Sequence, residues 1–154
     1  MKPLKVKVKA LEGTNQEIFD HVANHLLMQR APASNEEGTC YYRTPNGNQC
    51  AFGCLLTDEE YAQLNQARCE SYDDSDTIEG CSSDTVLMLI DKSKVNGEKQ
   101  ELCGDLQQAH DGFARYVNVG AGDNLIQDLT TRLKLVAEAH NLSIAVLAKY
   151  SDTE

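Results

Sequence analysis

Apolar and polar positions change period several times along this chain, and each change marks an expected element. Residues 4 to 9 alternate Leu, Lys, Val, Lys, Val, Lys, the period-two pattern of a strand with one apolar and one charged face. Lysines on the outer face suit an edge strand, where charge discourages pairing with other molecules. From Asn15 to Arg30 the pattern changes: Ile18, Phe19, Val22, Ala23, Leu26 and Leu27 recur in steps of one and three, one buried stripe on a helix. Thr14 stands three residues before Glu17, the capping-box spacing that satisfies two free amides at a helix start.

The stretch Ala31 to Thr39 is polar and turn-rich and is expected to form a mobile loop. It leads into CYYRTPNGNQCAFGCLL, residues 40 to 56, two short apolar runs around Asn46-Gly47. That dipeptide is a strong hairpin signal, because both residues tolerate the positive φ of a tight turn. With these two residues as the whole turn, Arg43 pairs with Cys50, Tyr42 with Ala51, Tyr41 with Phe52 and Cys40 with Gly53. Side chains alternate along a strand, so Tyr41, Arg43, Cys50 and Phe52 share one face and Cys40, Tyr42 and Ala51 the other.

Thr57 and Glu60 repeat the capping-box spacing, which predicts a helix from about Asp58 to Arg68. Val86 to Ile90 fits a short buried strand or one helical turn capped by Asp84, and Lys94 to Glu98 reads as a turn around Asn96-Gly97. Leu102, Leu106, Ala109, Phe113 and Tyr116 form a seam of fours and threes, a helix over 99–116. After the Val119 to Gly122 break, Asp123 is a credible N-cap for a helix burying Leu125, Leu129, Leu133 and Val136 and ending near Asn141. Leu142 to Ala148 reads as a closing strand. The fold class expected is therefore α+β: a small antiparallel sheet with a central hairpin, extended by residues 4–9 and 142–148 and covered by three to four helices.

A length of 154 residues fits one domain spanning 1–154, with an acidic, mobile loop expected over 69–84. At 41% hydrophobic and 25% charged the chain has the composition of a folded protein. No apolar run approaches the roughly 18–20 residues that span a bilayer, and residues 1–14 lack the apolar core and cleavage site of a secretory signal. A cytoplasmic location follows as an expectation, and with it the reading of the six cysteines as thiols rather than disulfides. The net charge is −10, from 24 acids and 14 bases, with eight acids and only Arg68 between Asp58 and Glu79. Such a field repels phosphate backbones and disfavours direct nucleic-acid binding. The acidic run is either a solvated loop or a DNA-mimicking surface aimed at a nucleic-acid-binding protein.

Three chemistries can be assembled from these residues. Cysteine catalysis needs a thiolate, a base and an orienting group; Cys50 or Cys40 as nucleophile, His110 as base and Asp111 or Asp105 as orienter supply the parts. Ligand binding is the second: Tyr41, Tyr42, Arg43 and Phe52 offer aromatic planes and a guanidinium suited to a nucleotide or a protein hot spot. The competing reading is that they brace the hairpin, with Arg43 paired to a carboxylate such as Asp58. Zinc is the weakest: Cys50-x-x-x-Cys54 is a loose ligand pair whose members lie about 13 Å apart on a strand, and His21 with His25 lacks the glutamate of a zinc-protease motif. No metal and no cofactor is expected.

Ile18-Phe19-Asp20, His25-Leu26-Leu27, Cys40-x-Tyr42-Arg43, Gly47, Cys50-Ala51-x-Gly53, Asp58, Tyr61, Leu106-Gln107 and His110-Asp111 together resemble a family of small uncharacterised bacteriophage and bacterial proteins. The resemblance covers about the first 60 residues and one later helix. It implies a phage accessory protein acting in the host cytosol on the host or its defences. The expected function is therefore binding, without catalysis, of a host protein or small nucleotide through the 40–54 hairpin face; an oligomer is left open. A cysteine- and histidine-dependent hydrolase or transferase is the rival, and an acidic DNA mimic the third reading.

Overall fold

The computed structural model describes residues 5–34, 40–72, 77–79, 83–91, 95–118 and 125–149. It is mostly helical, and the described residues contain no sheet. The expected α+β class is thereby corrected. The helices are α1 (Asn15–Gln29), α2 (Asp58–Tyr72), α3 (Ser83–Leu87), α4 (Gly97–Asn118) and α5 (Leu125–Ala139), with 3-10 turns at Lys9–Glu12, Gly53–Leu55 and Ala145–Lys149. Helix α4 packs on α5 and α1, and α1 also supports the 53–55 and 145–149 turns. No described helix is long and apolar enough to cross a membrane.

Helices form where caps and periodicity agree. Thr14 accepts from the Glu17 amide at 3.1 Å while Glu17 accepts from the Thr14 amide at 2.9 Å, so both halves of the box are made. The same exchange joins Thr57 and Glu60 at 3.1 and 3.0 Å. The predicted turn at Asn96-Gly97 is instead the start of α4, where the Asn96 side chain accepts from the Lys99 amide at 2.9 Å. Helix α5 ends with Asn141 at φ 56 and the Leu142 amide reaching back to the Ala137 carbonyl at 2.9 Å, a Schellman closure. The Asp123 cap lies outside the described residues.

The expected strands shrink to single bridges for local reasons. Val6 and Val8 are buried while Lys5, Lys7 and Lys9 are exposed, so the alternation is real, but among the described residues 5–9 only Val6 pairs, with Ile90. Residues 86–90 form no strand: Val86 and Leu87 end α3, which begins at Ser83 so that Asp84 lies inside it rather than capping it, and Ile90 makes a single bridge. The 142–148 segment instead closes in a 3-10 turn over Ala145–Lys149, with Val146 and Leu147 both buried, neighbours that a strand would send to opposite faces.

The hairpin exists with another register. The Gly47 amide bonds the Thr44 carbonyl at 3.0 Å and the Thr44 amide bonds the Asn48 carbonyl at 2.9 Å. Gly47 has φ +93. This is a three-residue turn ending in a positive-φ residue, with Pro45 where its fixed φ suits the first corner. Arg43 is therefore bridged to Gln49, not Cys50. One added turn residue shifts every later pairing and exchanges the faces. The ribbon then stops: the Cys54 amide bonds the Cys50 carbonyl at 2.9 Å, and Cys50 through Leu56 are all buried, a run that a coil of helical turns can hide and a ribbon with one solvated face cannot.

Gly53 makes this coil fit, since a Cβ there would overlap the Tyr42 carbonyl. Gly104, inside α4, has no atom within 4 Å of the corresponding position. Gly53→Ala is expected to destabilise by about 2 kcal/mol or more through forced backbone displacement, whereas Gly104→Ala stabilises by roughly 0.5–1 kcal/mol. Thermal unfolding of both variants checks the opposite signs.

Candidate functional site

The proposed ligand face is largely turned inward. Tyr42 is 6% and Phe52 1% exposed, and their rings meet edge to face at 6.0 Å. Arg43 pairs with Asp58, donates to the Leu56 carbonyl at 2.9 Å and lies 4.7 Å over the Tyr61 ring. Its guanidinium thus braces the hairpin against α2. The backbone amides of Tyr42 and Arg43 both point at Glu79, which accepts them at 2.8 and 3.0 Å and takes the Tyr61 hydroxyl at 2.7 Å. Burial first, then its bond to this carboxylate, pushes the Tyr61 phenol above its usual pKa. Tyr41 is half-buried, with its amide on the Ala33 carbonyl at 2.8 Å.

A second cluster joins the hairpin entry to α4. Donor atoms of Cys40, His110 and Asp111 lie within 4.8 Å of one another; Cys50 is not among them. His110 is 0% exposed, and its Nε2 accepts the Ala33 amide at 2.9 Å. A nitrogen that accepts a backbone N–H carries no proton of its own, so the ring proton is on Nδ1. From there it is donated to Asp111 at 3.2 Å. Asp111 also accepts from Gln107 at 2.9 Å and from the Cys40 thiol. Burial works against that carboxylate, but the bonds from His110, Gln107 and Cys40 outweigh it and hold its pKa below the ordinary value.

This geometry makes poor nucleophiles. Burial, and then the Asp111 charge, pushes Cys40 up to about 12. Burial also raises Cys50 and Cys103 to about 12 and Cys54 well above its ordinary value. The Cys54 thiol donates to the Ala51 carbonyl at 3.2 Å. The basic nitrogen of His110 faces Ala33 rather than sulfur. Asp105, the alternative orienter, bonds His140 at 2.7 Å. Cys40, Cys50, Cys54, Cys69 and Cys103 form no disulfide; Cys81 lies outside the described residues.

His21 and His25 do not converge: His21 donates to the Cys54 carbonyl at 2.8 Å and His25 to Gln29 at 2.9 Å. Of the acidic run, residues 73–76 lie outside the described residues, and Glu79 is turned onto backbone amides. Sequence reasoning missed Glu79, Gln107 and Gln29 as joints. Gln107 accepts the Phe52 amide at 3.0 Å, and Gln29 brackets Gln49, accepting its amide at 2.8 Å and donating to its carbonyl at 3.0 Å. Single side chains reaching distant backbone leave no periodic trace; the one available signal was Gln107 four residues before Asp111 on a helix.

No family model matches the chain, and neither a curated protein nor a solved structure matches it significantly. The resemblance drawn from sequence motifs gains no support from these comparisons.

The raised thiol values fix a pH dependence. Unfolding returns each thiol to its lower pKa, so the unfolded chain sheds protons first as pH rises. The thiols' contribution to stability is fully present below about pH 9 and is lost between that value and about 12, to which Cys40, Cys50 and Cys103 are raised. Chemical denaturation at stepped pH is expected to show this alkaline decline, and Cys103→Ala is expected to make it shallower.

Proposed function

We propose that the protein works by binding rather than by turnover, and that its partner is a protein with a basic surface engaged at the outer rim of the hairpin. The observation that carries this reading is that the candidate base and nucleophiles are not poised for chemistry: the imidazole accepts the Ala33 amide, and burial holds the Cys40 and Cys50 thiols protonated. What stays outside is the turn Pro45, Asn46 and Gly47 together with Asp58 and Glu59. Beyond Asp58, which Arg43 pairs, this rim carries the Glu59 carboxylate in a chain of net charge −10, and complementary charge steers association. If the lineage resemblance holds, the partner is a host or defence component. A small nucleotide is less well served, because Arg43 is already committed to Asp58, Leu56 and Tyr61.

The convergence of Cys40, His110 and Asp111 favours the hydrolase or transferase as second reading. It demands a thiolate near neutral pH. Iodoacetamide at pH 7.5 separates the two: binding without chemistry expects exposed Cys69 to be alkylated while Cys40 and Cys50 are spared, and rapid modification of either would favour the enzyme. For the rim, a photoreactive side chain at Asn46 is expected to give a discrete adduct in the source cell that one at Glu138, on α5, does not. Equal adducts from both positions, or a nucleotide-induced thermal shift abolished by Arg43→Ala, would overturn the assignment to a protein partner.

A further inference from the structure

Cys40, His110 and Asp111 bring a thiol, an imidazole and a carboxylate from two distant parts of the chain to within 4.8 Å of one another. Two of these groups turn a proton toward the third: Asp111 accepts both the Cys40 thiol and the His110 Nδ1–H. The triangle is thus held shut by two hydrogens pointing at one anion, a place a divalent cation can take. We propose that these residues form a three-ligand site for a zinc-type divalent transition ion, with solvent in the fourth position. This inference is independent of the rim reading, since the partner surface and the site share no residue.

The donor set and surroundings fit. Thiolate, imidazole nitrogen and carboxylate oxygen are the ligands zinc takes, and three protein ligands with an open position is a recurring arrangement. In a tetrahedral site donor atoms sit about 3.4–3.6 Å apart, so from within 4.8 Å these side chains need to draw in by at most about 1.2–1.4 Å. Thiolate and carboxylate together neutralise the charge of the ion. The Asp111 side chain is 37% exposed while His110 is enclosed, so solvent can reach the site from the carboxylate side. Gln107, already bonded to Asp111 at 2.9 Å, is placed to keep orienting that ligand.

Loading has a structural consequence. The thiol proton leaves to solvent as the sulfur–metal bond forms. At His110 the Nδ1 lone pair must be freed, so the ring proton moves to Nε2. There it faces the Ala33 amide, a donor against a donor, and the 2.9 Å bond seen now cannot persist. Metal binding is therefore coupled to release of Ala33 from α4, and this strain sets the site apart from one preformed for its ion.

The test uses the full chain carrying Cys69→Ser, titrated with Co2+ and followed by its thiolate charge-transfer and ligand-field absorption, with Zn2+ as competitor. A saturable one-to-one signal is expected, displaced by Zn2+, with the charge-transfer band lost in Cys40→Ser and affinity lowered at least tenfold in Asp111→Asn. Amide exchange by NMR is expected to show Ala33 protected without metal and faster with Zn2+. Absence of a saturable signal, or a band unchanged in Cys40→Ser, would overturn the site. An Ala33 amide still protected after loading would remove His110 from it.

Discussion

An irregular backbone buried among helices must find partners for its N–H and C=O groups, and in this protein side chains supply what a sheet would have supplied. Between α1 and α2 the β pairing of the described residues is limited to isolated bridges, yet Cys50 through Leu56 are buried. The amides that no ladder can use are taken one at a time: Ala33 by His110, Tyr42 and Arg43 by Glu79, Gln49 by Gln29 and Phe52 by Gln107. Each partner comes from a helix or from the short segment before α3. An unpaired buried amide costs about 1–3 kcal/mol, so these joints set where the hairpin can sit.

The same constraint governs the chemistry. On α4, Gln107, His110 and Asp111 lie within one turn and face the hairpin together. His110 gives its basic nitrogen to Ala33, and its remaining proton goes to Asp111, which also holds the Cys40 thiol. A constellation that contains the residue types of a catalytic site is thereby wired with the wrong polarity for one: the imidazole does not face sulfur, and burial keeps the thiol neutral. What the wiring does provide is a set of donors around a single point, some of them held together by exchangeable protons.

Much of the helical frame was legible in the sequence because two signals agreed there. Periodic apolar residues marked α1, α4 and α5, and the threonines at 14 and 57 marked two starts through their glutamates. The sheet was not legible because residues 5–9 have the alternation of a strand but find only one bridge, while 142–148, an apolar run without alternation, closes in a 3-10 turn over Ala145–Lys149. At the hairpin, Asn46-Gly47 gave the place of the turn but not its length; Pro45, suited to the first corner, was the signal that favoured three residues over two. Of the two cysteines grouped with His110 and Asp111, Cys40 lies beside them and Cys50 does not, while Tyr42 and Phe52, expected on a ligand face, lie in the core. Spacing alone says which residues share a face, not which backbone amide a distant side chain will meet.

Hydrogen exchange of individual amides tests most directly whether side chains stand in for a ladder. The amides of Ala33, Tyr42, Arg43, Gln49 and Phe52 are predicted to exchange as slowly as amides inside α1 and α4, with Glu79→Ala releasing Tyr42 and Arg43 while the helices stay protected. Exchange of all five at the rate of an open loop in the unsubstituted chain would contradict the account.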